Sequence, residues 1–435
     1  MDPILPASRS TIFASATAPG RAGVGIVRLS GPRAGAVLES LAGSLPPPRR
    51  AVLKAVTYKG ALLDRALVLW FPGPASFTGE DVAEFHVHGG RAVRETLFGA
   101  LLELGCKPAE PGEFSRRAVE NGVLDLTQAE AIADLVDAQT DAQRLAALRQ
   151  YDGALAAIYE GWRARLTKAL ARAEAAIDFS DDGVGEAEFG AARQQALEIH
   201  DEIARHLDDG GRGEMLREGL RLAIIGPPNA GKSSLINALA RRDIAIVAKT
   251  PGTTRDVIEL RLDLGGYPVH VADTAGLRET RDVVEAEGVR RALAQAGASD
   301  LVLLLLDGSD EKAAVPDGVT PDLVAWNKSD LDWRLPRDGI RLSLKSGAGL
   351  EALIAALTAL VAEKLEGAND APALSRPRHR AALNEALQCL ERPSNQAELL
   401  AEDLRLALRA IGRITGRVDV EDVLDSVFRD FCIGK

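Results

Sequence analysis

No run of apolar residues in this 435-residue sequence approaches the ~20 that a membrane-spanning helix needs. Residues 1–15 lack a basic stretch followed by an apolar block, so no secretory signal is expected there. Cysteine is scarce. Cys106, Cys389 and Cys432 are odd in number and far apart, which excludes a disulfide scaffold and points to free thiols in a reducing compartment. No Cys/His set has zinc-ligand spacing, so His86 and His88 are expected to be structural. A dominant basic charge is also missing: 52 Lys and Arg stand against 63 Asp and Glu, a net charge of −11. That excludes a uniformly basic nucleic-acid binder, although residues 1–123, with 14 basic and 11 acidic residues, leave room for a local patch. There is no internal repeat and no low-complexity tract.

What is present is ordinary globular composition, 46% hydrophobic and 26% charged, in a chain too long for one core. A multidomain, soluble, cytoplasmic protein with no membrane partner is expected. Residues 1–123 mix short β-like runs (Gly25–Leu29, Arg65–Phe71, Val82–Val87) with Gly/Pro punctuation, which predicts an α+β domain. Thr127-Gln128-Ala129-Glu130 has the form of a capping box and opens a long helical region. Leu155, Ile158, Trp162, Leu166 and Leu170 recur at steps of three and four, the spacing of one helical stripe. A further helix is predicted from about Glu186 to His206, then a hinge at Asp208–Gly213.

From Leu220 the pattern alternates strands with helices, which predicts a mostly parallel sheet. The strand candidates are Arg221–Ile225, Val257–Leu264, Pro268–Ala272, Leu301–Leu306, Leu323–Trp326 and Ile340–Leu344, with a hairpin turn at Gly265-Gly266. Helices return at Arg380–Leu390, Gln396–Ile411 and Val420–Phe428. The expected fold is therefore multidomain α+β: residues 1–123, a helical domain in two halves (124–213 and 371–435), and an α/β domain (214–370) inserted between them.

Gly226-Pro-Pro-Asn-Ala-Gly231-Lys232-Ser233 follows an apolar strand and precedes a helical stretch, the context of a P-loop. Its glycines let backbone N–H groups close around phosphate oxygens, Lys232 reaches the β/γ-phosphates, and Ser233 ligates Mg²⁺. Asn229, Ala230 and Ser234 complete the predicted phosphate cradle. Thr254, in Gly252-Thr253-Thr254-Arg255-Asp256, supplies a second Mg²⁺ ligand. Asp273-Thr274-Ala275-Gly276 offers a carboxylate toward Mg²⁺ and a glycine N–H toward the γ-phosphate. Asn327-Lys328-Ser329-Asp330 brings a carboxylate that accepts both N1–H and N2–H of guanine, which adenine does not offer; Ser343-Leu344-Lys345 stands where a base loop is expected. GTP is thus the predicted nucleotide, and the order of these elements resembles the TRAFAC-type GTPases. Leu277 occupies the position of the water-orienting Gln of Ras-like proteins, and an apolar side chain cannot orient water. Glu285 and Glu287 are candidates for that task, and the amide oxygen of Asn229 is one for a monovalent cation beside the phosphates.

Further segments set this GTPase apart: Ala18–Gly31, Ser76–Glu84 with His88-Gly89-Gly90, Pro111–Ser115, and Phe431-Cys432-Ile433-Gly434-Lys435. With the embedded G domain they resemble the MnmE (TrmE) family of tRNA-modifying GTPases over essentially the whole chain. The resemblance implies a folate-binding N-terminal domain that forms a homodimer. It implies work with the FAD-dependent partner MnmG, in a heterotetramer-type complex, to place an aminomethyl or carboxymethylaminomethyl group on C5 of the tRNA wobble uridine. The one-carbon unit would come from a tetrahydrofolate derivative, as the 5,10-methylene or 5-formyl form. By position, the family's K⁺ site falls on Asn229, Ala248, Thr250 and Thr253, within a nucleotide loop that also takes in Lys249, Pro251 and Gly252. Its catalytic glutamate falls on Glu285, acting with Lys232, and Cys432 is a candidate for the modification chemistry. Its folate positions fall on Arg28, Glu84, Val123 and Lys435. The family commonly has Lys where Val123 stands, and Arg116 and Arg117 are nearby basic residues that could replace it. The alternative reading is an RNA- or ribosome-associated GTPase switch of the Era or Der kind.

Overall fold

The computed structural model describes residues 10–178, 183–246, 260–272, 293–311, 313–315, 318–331, 338–366, 374–391, 394–418, 424, 427–428, 431 and 434. The chain divides into two compact units, Met1–Ala133 with Gln150–Ala171 and Leu404–Lys435, and Asp134–Arg149 with Arg172–Asp403.

The first unit is built on strands β1 (Ile12–Ser15), β2 (Ala22–Ser30), β3 (Val52–Tyr58), β4 (Ala61–Phe71), β5 (Val82–Gly89) and β6 (Lys107–Pro108). They form one sheet in the order β3-β4-β5-β2-β1-β6, antiparallel except for the β1–β6 pair. Alternation along β5 decides its two faces. Ala83, Phe85 and Val87 point into a core closed by α1 (Ala34–Ala42) and α2 (Arg91–Glu103), where Leu38, Leu41, Leu97 and Leu101 pack. Glu84 and His86 therefore share the opposite face, and the register places Arg28 of β2 directly across from Glu84. The three strands expected in this region lie within β2, β4 and β5. Strands β1 and β3 were not expected; β3 is an edge strand whose exposed Leu53 and Ala55 blur its alternation.

Next come α3 (Glu113–Glu120), α4 (Leu126–Asp137), α5 (Asp141–Tyr151) and α6 (Ala154–Asp178). The capping box of α4 lies two residues earlier than the sequence pattern suggests. Asp125 Oδ1 accepts the Gln128 N–H at 3.0 Å, and Gln128 Oε1 accepts the Asp125 N–H at 3.1 Å. Thr127 donates its hydroxyl to the same carboxylate, and Glu130 is fully buried. Along α6 the buried line is Leu155, Tyr159, Trp162, Leu166 and Ala169, with Ile158 and Leu170 only half-buried beside it.

In the second unit, α7 (Gly183–Leu207) and α8 (Arg212–Glu218) lead into the sheet strands β7 (Leu220–Ile225), β8 (Ala245–Ile246), β9 (Leu260–Leu264), β10 (Tyr267–Val271), β11 (Leu301–Asp307), β12 (Leu323–Asn327) and β13 (Ile340–Arg341). Helix α9 (Lys232–Ala240) follows β7, α10 (Leu350–Leu365) and α11 (Pro377–Leu390) follow the sheet, and α12 (Ala397–Thr415) belongs to the first unit from Leu404 on. Its order is β13-β12-β11-β7-β10-β9-β8, parallel from β13 to β10, with β9 antiparallel to β10. Gly265 and Gly266, both at positive φ, close the β9–β10 hairpin, as two-residue loops of this hand require. Strand β13 is shorter than expected because, after Leu342 donates its N–H to Trp326 O, Ser343 and Leu344 enter a turn in which the Ser343 N–H donates to Ala348 O. Residues 257–259 of the expected strand before the hairpin, and most of the expected helix Val420–Phe428, lie outside the described residues.

The segment expected as a hinge is a bonded junction. Asp209 Oδ1 accepts the Gly211 N–H (2.9 Å) and an Arg380 N–H (2.7 Å), and its Oδ2 accepts the Leu374 N–H (3.2 Å). A carboxylate that is 7% exposed and so fully engaged does not act as a loose linker.

Candidate functional site

The phosphate side of the site starts where β7 runs out. Gly226 has φ +150°, and a Cβ there would lie 2.0 Å from Leu305 O, so only glycine lets the loop leave between β7 and β11. Asn229 takes the left-handed conformation (φ +63°), which Asn tolerates better than most residues, and its side chain is exposed at the rim. Ala230 is fully buried beneath the loop. Gly231 (φ +105°) precedes α9, and a Cβ there would meet Asn327 Nδ2 at 2.4 Å. Lys232 then folds back to donate from Nζ to Gly226 O (2.6 Å) and Pro227 O (2.9 Å), and burial pushes its ammonium below the ordinary lysine range. Ser233 and Ser234 are exposed on the first turn of α9, where helix N–H groups and the macrodipole favour an anion.

The base side is set by the ends of β11 and β12. Asn327 is 5% exposed and donates from Nδ2 to Ala230 O at 2.8 Å, while its Oδ1 accepts the Leu344 N–H at 3.1 Å. One buried amide thus ties the phosphate loop to the base loop. Asp330 is exposed, and its Oδ1 accepts the Ser343 hydroxyl at 2.7 Å. That bond holds the Asp330 carboxyl below its ordinary range, so it stays ionised and accepts hydrogen bonds. Ser343 is buried and accepts the Ser346 N–H, whereas Lys345 is exposed at the loop's edge. Lys328, also left-handed (φ +67°), forms an ion pair with Asp307. The sequence pattern placed Asn327 among the nucleotide-site residues; its role as a brace between loops follows from Ala230 and Leu344 lying beside it.

The other predicted nucleotide residues, Ala248, Lys249, Thr250, Pro251, Gly252, Thr253, Thr254, Asp273, Thr274, Ala275, Gly276 and Glu285, lie outside the described residues, as do Cys432 and Lys435.

A second polar cluster sits on the face of the first unit's sheet opposite α1 and α2. Arg28 Nε donates to Glu84 Oε1 at 3.0 Å, and Glu84 Oε2 bonds His86 Nε2 at 3.0 Å. The Arg28 guanidinium also lies 5.1 Å from the Phe77 ring centroid and 5.9 Å from that of Phe114, within cation–π range. His86 was expected to be structural; its bond to Glu84 was not foreseen, nor was the placing of Phe77 and Phe114 against Arg28, from which they are far apart in sequence. Val123 is 42% exposed and brings no charge. Arg116 and Arg117, the basic residues considered in place of a lysine there, both have carboxylate partners. Arg117 is 5% exposed and committed to Glu80 (3.0 Å) and Glu113 (2.7 Å), and Arg116 pairs with Glu120 along α3. Gly434 reaches the end of β1 so closely that a Cβ on it would lie 2.1 Å from Ser15 O.

Two family descriptions cover this architecture in sequence order: "GTP-binding protein TrmE N-terminus" matches residues 11–123 and "MnmE helical domain" matches residues 126–432. The chain belongs to the MnmE family of tRNA modification GTPases. Its MnmE relatives, each named tRNA modification GTPase MnmE, match end to end. That of Rhodospirillum rubrum is 56% identical, with 98% of this chain and 99% of the relative covered. That of Maricaulis maris is 53% identical (98% and 100% covered), and that of Methylorubrum populi 51% (100% and 100%). Among solved structures, the G domain of the T. maritima FeoB iron transporter is 23% identical over 34% of this chain and 99% of that one, with a TM-score of 0.21, too low to add to the assignment.

Proposed function

We propose that this MnmE-family chain is a K⁺-activated GTPase that acts with MnmG to form 5-aminomethyl- or 5-carboxymethylaminomethyl-uridine at the tRNA wobble position. The observation that carries its GTPase core is the Asn327 amide, which joins Ala230 of the phosphate loop to Leu344 of the base loop in one pocket. In this reading residues 214–370 are the inserted G domain, 124–213 and 371–435 the two halves of the helical domain, and 1–123 a folate-binding domain that pairs two copies of the chain. Mg²⁺ would take Ser233 and Thr254; the exposed Ser233 hydroxyl, next to Lys232 at the start of α9, suits it. K⁺ would take Asn229 with Ala248, Thr250 and Thr253, and the exposed amide of Asn229 at the loop rim fits that role.

Glu285 would orient the attacking water, since Leu277 cannot. The tetrahydrofolate derivative would take Arg28 and Glu84, whose paired charges match the donor and acceptor edges of a pterin, with Val123 and Lys435, and Cys432 would serve the modification chemistry. No helix among the described residues is long and apolar enough to cross a membrane. GTP turnover in K⁺ against Na⁺ tests the proposal. Asn229→Ala should abolish the preference for K⁺, and Glu285→Ala should slow hydrolysis while leaving GTP affinity intact. An unchanged K⁺ preference in Asn229→Ala would sink the cation site.

A further inference from the structure

We propose that Asp307 is a positioning residue of the guanine pocket, acting on the base through Lys328. The inference rests on the guanine-nucleotide reading of this site and adds a residue to it. Asp307 is the first polar residue after the buried run Leu301–Leu306 of the central strand β11, and the sheet register places it beside Asn327 of β12. Its carboxylate is fixed from two sides. Oδ1 accepts both the N–H (3.0 Å) and the hydroxyl (2.7 Å) of Ser309, and Oδ2 pairs with Lys328 Nζ.

Burial alone would raise the Asp307 carboxyl, but the bonds from Lys328 and Ser309 outweigh it and hold the group below the ordinary carboxylate range. The charge is therefore retained, and the pair is charge-assisted on both sides. Lys328 needs such an anchor. It is a non-glycine residue at φ +67°, a conformation that persists only where the surroundings over-determine it. The hydrogen bond from Gly308 N–H to Asn327 O (2.8 Å) locks the two strand ends in the same register. With Nζ tethered at Asp307 and the backbone fixed between Asn327 and Asp330, the four-carbon stem of Lys328 is held as one wall of the pocket. An untethered lysine would have to lose its rotamer freedom each time a nucleotide bound.

The test uses the full-length chain, with equilibrium titration of a fluorescent GDP analogue and steady-state GTP turnover. Asp307→Ala should raise both the GDP dissociation constant and KM for GTP about tenfold, as loss of a half-exposed charge-assisted contact implies, with kcat changed less than twofold. Asp307→Asn keeps the side-chain volume and should move the same parameters in the same direction; it carries the test if the alanine variant does not fold. In a Lys328→Ala background either substitution should add less than twofold, because the residue through which Asp307 acts is gone. An unchanged KM, a fall in kcat equal to the rise in KM, or the full loss persisting in the Lys328→Ala background would overturn the proposal. Failure of the wild-type chain to bind the GDP analogue would instead overturn the guanine-pocket reading on which it rests.

Discussion

Replacing Asn327 with alanine isolates the brace between the two loops. The side chain is 5% exposed, and its removal takes the partner from Ala230 O, 2.8 Å away, and from the Leu344 N–H, 3.1 Å away. Each buried backbone group left without a partner costs about 1–3 kcal/mol. Water can enter from the rim of the phosphate loop, which favours the lower half of that range. The two losses together then amount to about 3 kcal/mol of stability in the joined loops, and where nucleotide binding has to re-form that junction the cost appears as up to roughly a hundredfold in nucleotide affinity. Because GTP and GDP share the groups concerned, both should weaken alike, and kcat at saturating GTP should stay within about threefold. Asn327→Asp should be worse, since a carboxylate would face Ala230 O in place of an N–H donor. Equilibrium titration of fluorescent GDP, paired with a thermal melt, reads both arms. A loss of affinity below about threefold in Asn327→Ala, with an unaltered melt, would show that the amide does not brace the two loops.

Two further substitutions probe the local chemistry. Gly226→Ala should abolish nucleotide binding and destabilise the chain by several kcal/mol in chemical denaturation, because its Cβ would fall 2.0 Å from Leu305 O at φ +150°. A Gly226→Ala variant with wild-type GDP affinity would contradict the geometry. Asp125→Ala removes one side of the α4 capping box and should cost about 1 kcal/mol, visible as a fall of a few degrees in melting temperature, whereas Thr127→Ala should cost less.

The nucleotide motifs were legible because their chemistry depends on local spacing: a glycine-rich turn between a strand and a helix, and an Asn-Lys-x-Asp run at a strand end. The sheet around them was legible too, since β11 is six buried apolar residues in a row and Gly265-Gly266 dictates a hairpin. What escaped depends on residues far apart in sequence. Asn327 meets Ala230 across 97 positions, and Arg28 meets Glu84 across 56. The α4 cap was displaced because Asp125-x-x-Gln128 and Thr127-x-x-Glu130 satisfy similar patterns. Burial of Glu130 and the bond of Thr127 to Asp125 decided between them. Arg117 looked available to a ligand because sequence does not reveal that Glu80 and Glu113 already hold it.

The most direct test of the central claim is nucleoside mass spectrometry of bulk tRNA from cells lacking this gene, complemented with the wild-type chain or with Glu285→Ala. Loss of C5-aminomethyl-type wobble uridines is expected, restored by the wild type and not by Glu285→Ala. Wobble uridines unchanged by deletion of the gene would contradict that claim.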